Sequence, residues 1–356
     1  MSEIYLVFVV FLFVLAVFDL MVGVSNDAVN FLNSAIGAKV AKFRTIIIVA
    51  AVGVFMGATM SNGMMEVARN GVFHPAMFSL KELMFIFLAV MISDVILLDI
   101  FNNLGLPTST TVSLVFELLG GTTAFVLLKL ANDTTGLTVG DLMNTEKALG
   151  MIMAIFVSVA IAFFFGIVLQ YISRLVFTFT YKKNLKWKIG IFGGVATTAI
   201  FYFMLFKGIK SMSFVTPEIY EYIQNHTLGI LGICFLASTA IMQFLYFLKV
   251  NVFKILVLMG TFALAMAFAG NDLVNFIGVP LAGYSAFTDF AASGASDPST
   301  FMMSSLEGPA KSPMIFLVAA GAVMVFSLAT SKKAHNVIKT SVDLSRQSEG
   351  DEMFGS

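Results

Sequence analysis

Nine apolar runs, each long enough to cross the roughly 30 Å hydrocarbon core of a bilayer, leave this chain few folds to choose from. They fall approximately at Ile4 to Val24, Thr45 to Met65, Leu83 to Phe101, Val112 to Leu130, Ala148 to Phe177, Ile189 to Phe206, Leu228 to Leu248, Val252 to Ala269 and Pro313 to Thr330. A hydrophobic share of 58% against 12% charged residues, with a mean hydropathy of +0.93, is far from soluble-domain composition. The expectation is an all-α polytopic membrane protein with about nine helical segments. The first run has no basic residues before it and contains Asp19, so it reads as a mature transmembrane helix and not as a cleaved signal. A single cysteine, Cys234, excludes an intramolecular disulfide and a multi-cysteine metal site. With 21 basic and 21 acidic residues the net charge is zero, which points away from nucleic acid.

Basic residues orient the helices, because cytoplasmic loops retain them. Lys39, Lys42 and Arg44 follow the first run; Arg174, Lys182, Lys183, Lys186 and Lys188 follow the fifth. Lys249 and Lys254 fall at the junction of the seventh and eighth, and Lys332, Lys333, Lys339 and Arg346 follow the ninth. The loops Ala131 to Leu149, with Asp133, Asp141 and Glu146, and Ser211 to Thr227, with Glu218 and Glu221, are poor in basic residues. One topology satisfies all of this: N-terminus outside, C-terminal residue 356 on the cytoplasmic side.

Within this frame the pattern Asn-Asp-x-Val-Asn-Phe occurs twice, as Asn26-Asp27-Ala28-Val29-Asn30-Phe31 and as Asn271-Asp272-Leu273-Val274-Asn275-Phe276. An Asp at membrane depth costs roughly 2.5 to 3.5 kcal/mol on insertion scales, so a duplicated cluster marks a working site. Helix capping alone needs one polar residue and not five matching identities. By the topology above, the first copy follows a helix travelling inward and the second a helix travelling outward. Opposed copies of this kind belong to inverted-topology repeats, the architecture of many secondary transporters, with broken or re-entrant helices around a midplane site. The expected division is a first repeat over 1–130, connecting helices over 131–248, the start of a second repeat over 249–330, and a polar cytoplasmic segment over 331–356.

A second polar cluster, Gly105-Leu106-Pro107-Thr108-Ser109-Thr110-Thr111, leads straight into the fourth apolar run. Pro at a first helical position followed by hydroxyl residues reads as a helix start. Such a start at membrane depth offers unpaired N–H groups, the positive end of the helix dipole and several hydroxyl donors, which together suit an anion. The Asn-Asp clusters would repel that anion unless cations lie between, and their oxygens are suitable ligands for a hard cation or carriers of a proton. A dianion entering a cell against 100 mV, inside negative, is opposed by about 4.6 kcal/mol. Cation co-entry offsets that cost. Asp19, Asp94, Asp99, Glu117 and the pair Asn102-Asn103 are further intramembrane polar residues, serving either the site or interhelical hydrogen bonding. His74, His226 and His335 fall in predicted loops, and none reads as catalytic.

The two Asn-Asp-x-x-Asn copies, with Asn33-Ser34 and Gly37 after the first and Gly278 and Pro280 after the second, together with Gly-Leu-Pro-x-Ser-Thr-Thr, resemble the PiT family of inorganic phosphate transporters. The resemblance covers most of the chain. It implies symport of inorganic phosphate with Na+ or H+ into the cell across the inner (plasma) membrane, a lipid-embedded inverted-repeat fold, a homodimer, and no cofactor beyond the coupling ion. Carried over by position, Asp27, Asp272, Asn26 and Asn271 would hold the cation, Asp27 and Asp272 being the sodium ligands if sodium is used. Ser109, Thr110 and Thr111 would contact phosphate, with Asn30 and Asn275 completing the substrate site. The chain departs from the family pattern at Val24, where a Gly is usual and Gly23 is displaced by one, at Val112, often His, and at Phe31 and Phe276, usually small.

Sulfate, another tetrahedral oxyanion, is the alternative substrate within the family. An intramembrane aspartyl hydrolase pairing Asp27 with Asp272 around a water is a remote alternative, for which the flanking Asn residues and the hydroxyl cluster serve no purpose. The family pattern also calls for a second Ser-Thr-Thr cluster after the second motif. At the spacing of the first pair it would fall close to Ser356, so a natural sequence continuing past this point, with 331–356 opening a cytoplasmic insertion, is expected.

Overall fold

The computed structural model describes residues 2–61, 67–132, 136–178, 185–208, 216–308 and 312–344. Lys182, Lys183, Asp133, Arg346 and the stretches 211–215 and 345–356, used above for orientation, lie outside the described residues. What is described is helical, with isolated bridges at Phe73–Met143 and Ser79–Met302. Twelve helices follow one another: α1 (Ser2–Gly37), α2 (Phe43–Met60), α3 (Leu80–Leu104), α4 (Thr110–Ala131), α5 (Val139–Leu142), α6 (Thr145–Phe177), α7 (Lys188–Gly208), α8 (Pro217–Asn225), α9 (Thr227–Phe247), α10 (Val252–Ser293), α11 (Met314–Thr330) and α12 (Lys332–Leu344). Seven are long and apolar enough to span a membrane by length and composition. The bent pair α11 and α12, which meet at 65°, adds an eighth if counted as one span, and Lys188–Met204 is a shorter apolar helix. The chain is a multi-pass membrane protein.

Helix ends differ most from the sequence reading at the two motifs. The apolar runs stop at Val24 and Ala269, but α1 and α10 continue unbroken for 36 and 42 residues. At 1.5 Å per residue these lengths are about 54 and 63 Å, well beyond one hydrocarbon thickness. Hydropathy falls at the Asn-Asp residues because their side chains are polar. The helical backbone is indifferent to that when partners for those side chains come from other helices. α10 even carries Pro280 in its interior.

Side-chain contacts give the direction of packing. Leu12 meets Gly283, Phe13 meets Tyr284, Gly23 meets Phe276 and Phe31 meets Phe268, so α1 and α10 run antiparallel and bring the two motifs side by side. On α2, Gly53 and Gly57 face Phe262 to Met266 of α10, and Ser61 donates to Gly270 O. α2 and α10 are therefore parallel. A Cβ on Gly57 would lie 2.0 Å from Met266 O, so backbone touches backbone here, as small-xxx-small pairs permit in membranes. α11 runs parallel to α1, from the stacked Phe13–Phe316 rings at 5.1 Å to Ser327 Oγ donating to Met21 O at 2.9 Å.

One apolar core holds α1, α2, α3, α4, α10 and α11, together with Ala334, Val337 and Ile338 of α12. A smaller cluster joins α7, α9 and the start of α10 through Ile189, Met242, Val252 and Leu256. α6 leaves most of its apolar surface unpacked within the chain, as a lipid-facing helix does. Residues 332–344, read above as part of a polar tail, form an amphipathic helix. It is tied down by Asn33 Nδ2 donating to Ser341 Oγ at 3.0 Å and by the Lys333–Asp99 ion pair. His335 consequently lies in a helix and not in a loop, edge-on to Phe43.

Candidate functional site

α3 ends at Leu104 and α4 begins at Thr110, with Ser109 as its N-cap. Pro107 thus sits in the loop, two residues before the cap, and not at the first helical position expected from the sequence. Ser109 Oγ accepts from Val112 N at 3.3 Å, which leaves its own hydrogen free to donate. The N–H groups of Thr110 and Thr111, in the first turn, have no intrahelical acceptor.

Asn26 fixes this loop. Its Nδ2 donates to Asn102 Oδ1 at 2.8 Å and to Leu106 O at 3.1 Å, and its Oδ1 accepts from Thr108 N at 2.8 Å. Asn102 in turn donates to Val22 O at 2.7 Å. Both carboxamides are fully buried, so the first Asn of the motif is spent on holding the hydroxyl run against α1. Asn102, singled out from the sequence only as an intramembrane polar residue, acquires a definite task.

The two aspartates approach the start of α4 from opposite sides. Asp27 Oδ2 accepts from Thr110 Oγ1 and Asp272 Oδ1 from Thr111 Oγ1, each at 3.5 Å. Asn275 Nδ2 spans both hydroxyls, at 3.3 Å to Thr110 Oγ1 and 2.9 Å to Thr111 Oγ1. Asn271 Nδ2 donates to Asp272 Oδ1 at 3.0 Å. Asp27, Asp272 and Asn275 are buried, whereas Asn30, Asn271 and Ser109 are exposed. Bonds of 3.5 Å are long, so the threonine hydroxyls are loosely held by the carboxylates.

Beside these contacts is an open cavity of about 380 Å³. It is lined by Asp27, Asn30, Asp272, Phe268 and the run Pro107 to Thr111. Of the nine residues assigned from the sequence, six belong to that lining and Asn26, Asn271 and Asn275 do not. Phe268 was not anticipated. It lies three residues before Asn271, as Gly23 lies three before Asn26, and packs on Phe31.

Departures from the family pattern compensate one another. A Cβ on Gly23 would come within 2.0 Å of the Phe276 ring. The displaced glycine therefore makes room for the unusually large residue after the second motif. Phe276 and Phe31 are both buried.

The sequence model of the phosphate transporter family matches residues 23–341, from just before the first motif into α12. The chain belongs to the phosphate transporter family. Membership sets the hydrolase reading aside and does not favour sulfate. A solved structure described as "The sodium-dependent phosphate transporter" has a similar fold. Its TM-score is 0.66 at 19% identity, and the match covers 95% of this chain and 78% of that one. Comparison with curated protein sequences returns no match.

Proposed function

We propose that this member of the phosphate transporter family carries inorganic phosphate into the cell by symport with a monovalent cation, binding both in the cavity between α1, α4 and α10. The observation that carries this reading is the meeting of Asp27 and Asp272, from antiparallel helices, with the hydroxyls and free N–H groups at the start of α4. Thr110 and Thr111 point their hydrogens at the aspartates when no cation is present. A cation on the carboxylates takes those acceptors, and the hydroxyls turn to an anion. Cation binding therefore precedes and assists phosphate binding. Asn26 and Asn102 position the loop, Asn271 and Asn275 orient Asp272 and the threonines, and Asn30 and Ser109 face the cavity. Neutral donors, without Lys or Arg, bind an anion weakly enough to release it.

An N-terminus outside, residue 356 inside, the inner (plasma) membrane and a homodimer complete the proposal. Uptake of labelled phosphate into liposomes by the full-length protein, with imposed Na+ or H+ gradients and excess sulfate as competitor, tests it. Accumulation under one of the gradients, resistant to sulfate, is expected; none under either gradient sinks the assignment.

A further inference from the structure

A second group of intramembrane acids plays no part in the cavity. On α3 and α4, Ser113 Oγ lies 2.6 Å from Asp94 Oδ1 and 2.9 Å from Glu117 Oε1. Asp94 Oδ2 and Glu117 Oε2 are buried without a partner. From α1, Asp19 faces this group. It is fully buried, neither of its oxygens meets a donor, and the carboxyl groups that act on it electrostatically are Asp94, Glu117 and Asp27.

A hydroxyl owns one hydrogen. Ser113 therefore donates to one carboxyl, and its second contact is a hydrogen bond only if the other carboxyl carries a proton and donates to Oγ. Asp19 beside Asp94 makes the same demand, since adjacent carboxylates either share a proton or repel. Among the described residues no cationic side chain supplies the balance. The ion pairs among the described residues, Lys129–Glu82 and Lys333–Asp99, lie elsewhere, and the charged groups that act on Asp27 are Asp272 and Asp94, both acidic. Among the described residues no three His, Cys, Asp or Glu side chains converge in metal-holding geometry. The occupant that fits is a proton.

We propose that Asp19, Asp94, Ser113 and Glu117 form a proton-binding site separate from the Asp27/Asp272 site, loaded as phosphate enters the cavity and emptied as it leaves. Each helix of the cluster also serves the cavity: α1 through Asp27, α3 through Asn102, which holds Asn26, and α4 through Thr110 and Thr111. Asp19 is eight residues from Asp27, about 12 Å along the helix. A phosphate dianion in the cavity favours the proton in the cluster, and linkage makes the effect reciprocal. The proton is drawn from hydronium in the solution that fills the cavity, leaving neutral water, adds to a carboxylate oxygen to give a neutral carboxyl, and returns to water as hydronium when it departs. The coupling rests on the phosphate reading; the site itself does not.

Infrared spectroscopy of the full-length protein in lipid tests the site directly, by following the carbonyl stretch of protonated carboxyls as pH is raised. A band that shifts in D2O, falls with rising pH and loses amplitude in Asp19→Asn and in Glu117→Gln is expected. Its absence, or an undiminished wild-type amplitude in both variants, overturns the site. These isosteric amides mimic the neutral carboxyl and keep its shape; should Asp19→Asn not fold, Asp94→Asn takes its place. In liposomes at a fixed Na+ gradient, the half-saturating phosphate concentration of wild type and Glu117→Gln is compared at two pH values. A several-fold weaker pH dependence in the variant is expected, and an equal dependence overturns the coupling. A wild-type protein with the band but without phosphate uptake sinks the phosphate reading and leaves the proton site standing.

Discussion

Single residues divide into those that face the cavity and those that hold them there, and the two classes predict different failures. Asp27→Asn and Asp272→Asn remove a membrane-buried charge, so insertion and folding are expected to be intact or improved. Coupled phosphate uptake is expected to vanish in each; wild-type uptake in both ends the assignment. Thr111→Ala is expected to raise the half-saturating phosphate concentration about tenfold or more, because a donor to a charged oxygen is worth about 1.5 to 3 kcal/mol. Thr111→Ser, which keeps the hydroxyl, is expected to recover most of that, and equal behaviour of the two variants would assign the threonine to packing. Asn26→Ala belongs to the second class. It strands Asn102, Leu106 O and Thr108 N, at a cost of about 1 to 3 kcal/mol for the groups left unpaired. Its signature is a loosened 105–109 loop, read as faster hydrogen exchange there with α1 and α10 unaffected.

At the level of elements, the close approach of α2 to α10 is the contact least able to yield. Leucine at Gly57 meets backbone, not a flexible side chain, at 2.0 Å from Met266 O, far inside any real Cβ contact, so the helices themselves must part. Gly57→Leu is expected to lower thermal stability in detergent by an amount typical of overpacking, about 1 to 3 kcal/mol. Gly120→Leu on α4, where an added Cβ meets nothing, is the control, and equal melting of the two would show that the contact is not close. Elements are also where hydropathy reads short. The apolar content of α1 and α10 was plain, but neither the continuation to Gly37 and Ser293 nor the helix at Lys332–Leu344 was, because polar residues interrupt the first two and dominate the third. Their helicity depends on partners such as Asn102, Thr110 and Asp99, which lie tens or hundreds of residues away in sequence.

For the whole molecule, the antiparallel pairing of α1 with α10 is the feature on which an inverted repeat depends. In a background with Cys234→Ser, cysteines at Phe13 and Tyr284, or at Phe31 and Phe268, are expected to be joined by a short bifunctional reagent. Phe13 with Phe268 is expected to stay unjoined, and the reverse pattern would show the helices to be parallel. The two copies of the motif differ in detail. Gly23 faces Phe276, whereas Phe268, in the position equivalent to Gly23, faces Phe31, so the two copies of the motif do not meet identical surroundings.

Sequence alone determined the membrane class, the duplicated motif and a set of nine candidate residues, six of which are among those lining the cavity. Apolar length and the cost of polar groups in hydrocarbon are local properties, visible wherever they occur. Only the tertiary structure decided which of those residues face the cavity. The roles of Asn26 and Asn275 outside that lining, the fit of Phe276 over Gly23, and the convergence of Asp19 with Asp94 and Glu117 all arise from side chains on different helices. A hydrogen bond or a packing contact requires two partners in space, and one strand of sequence names only the candidates.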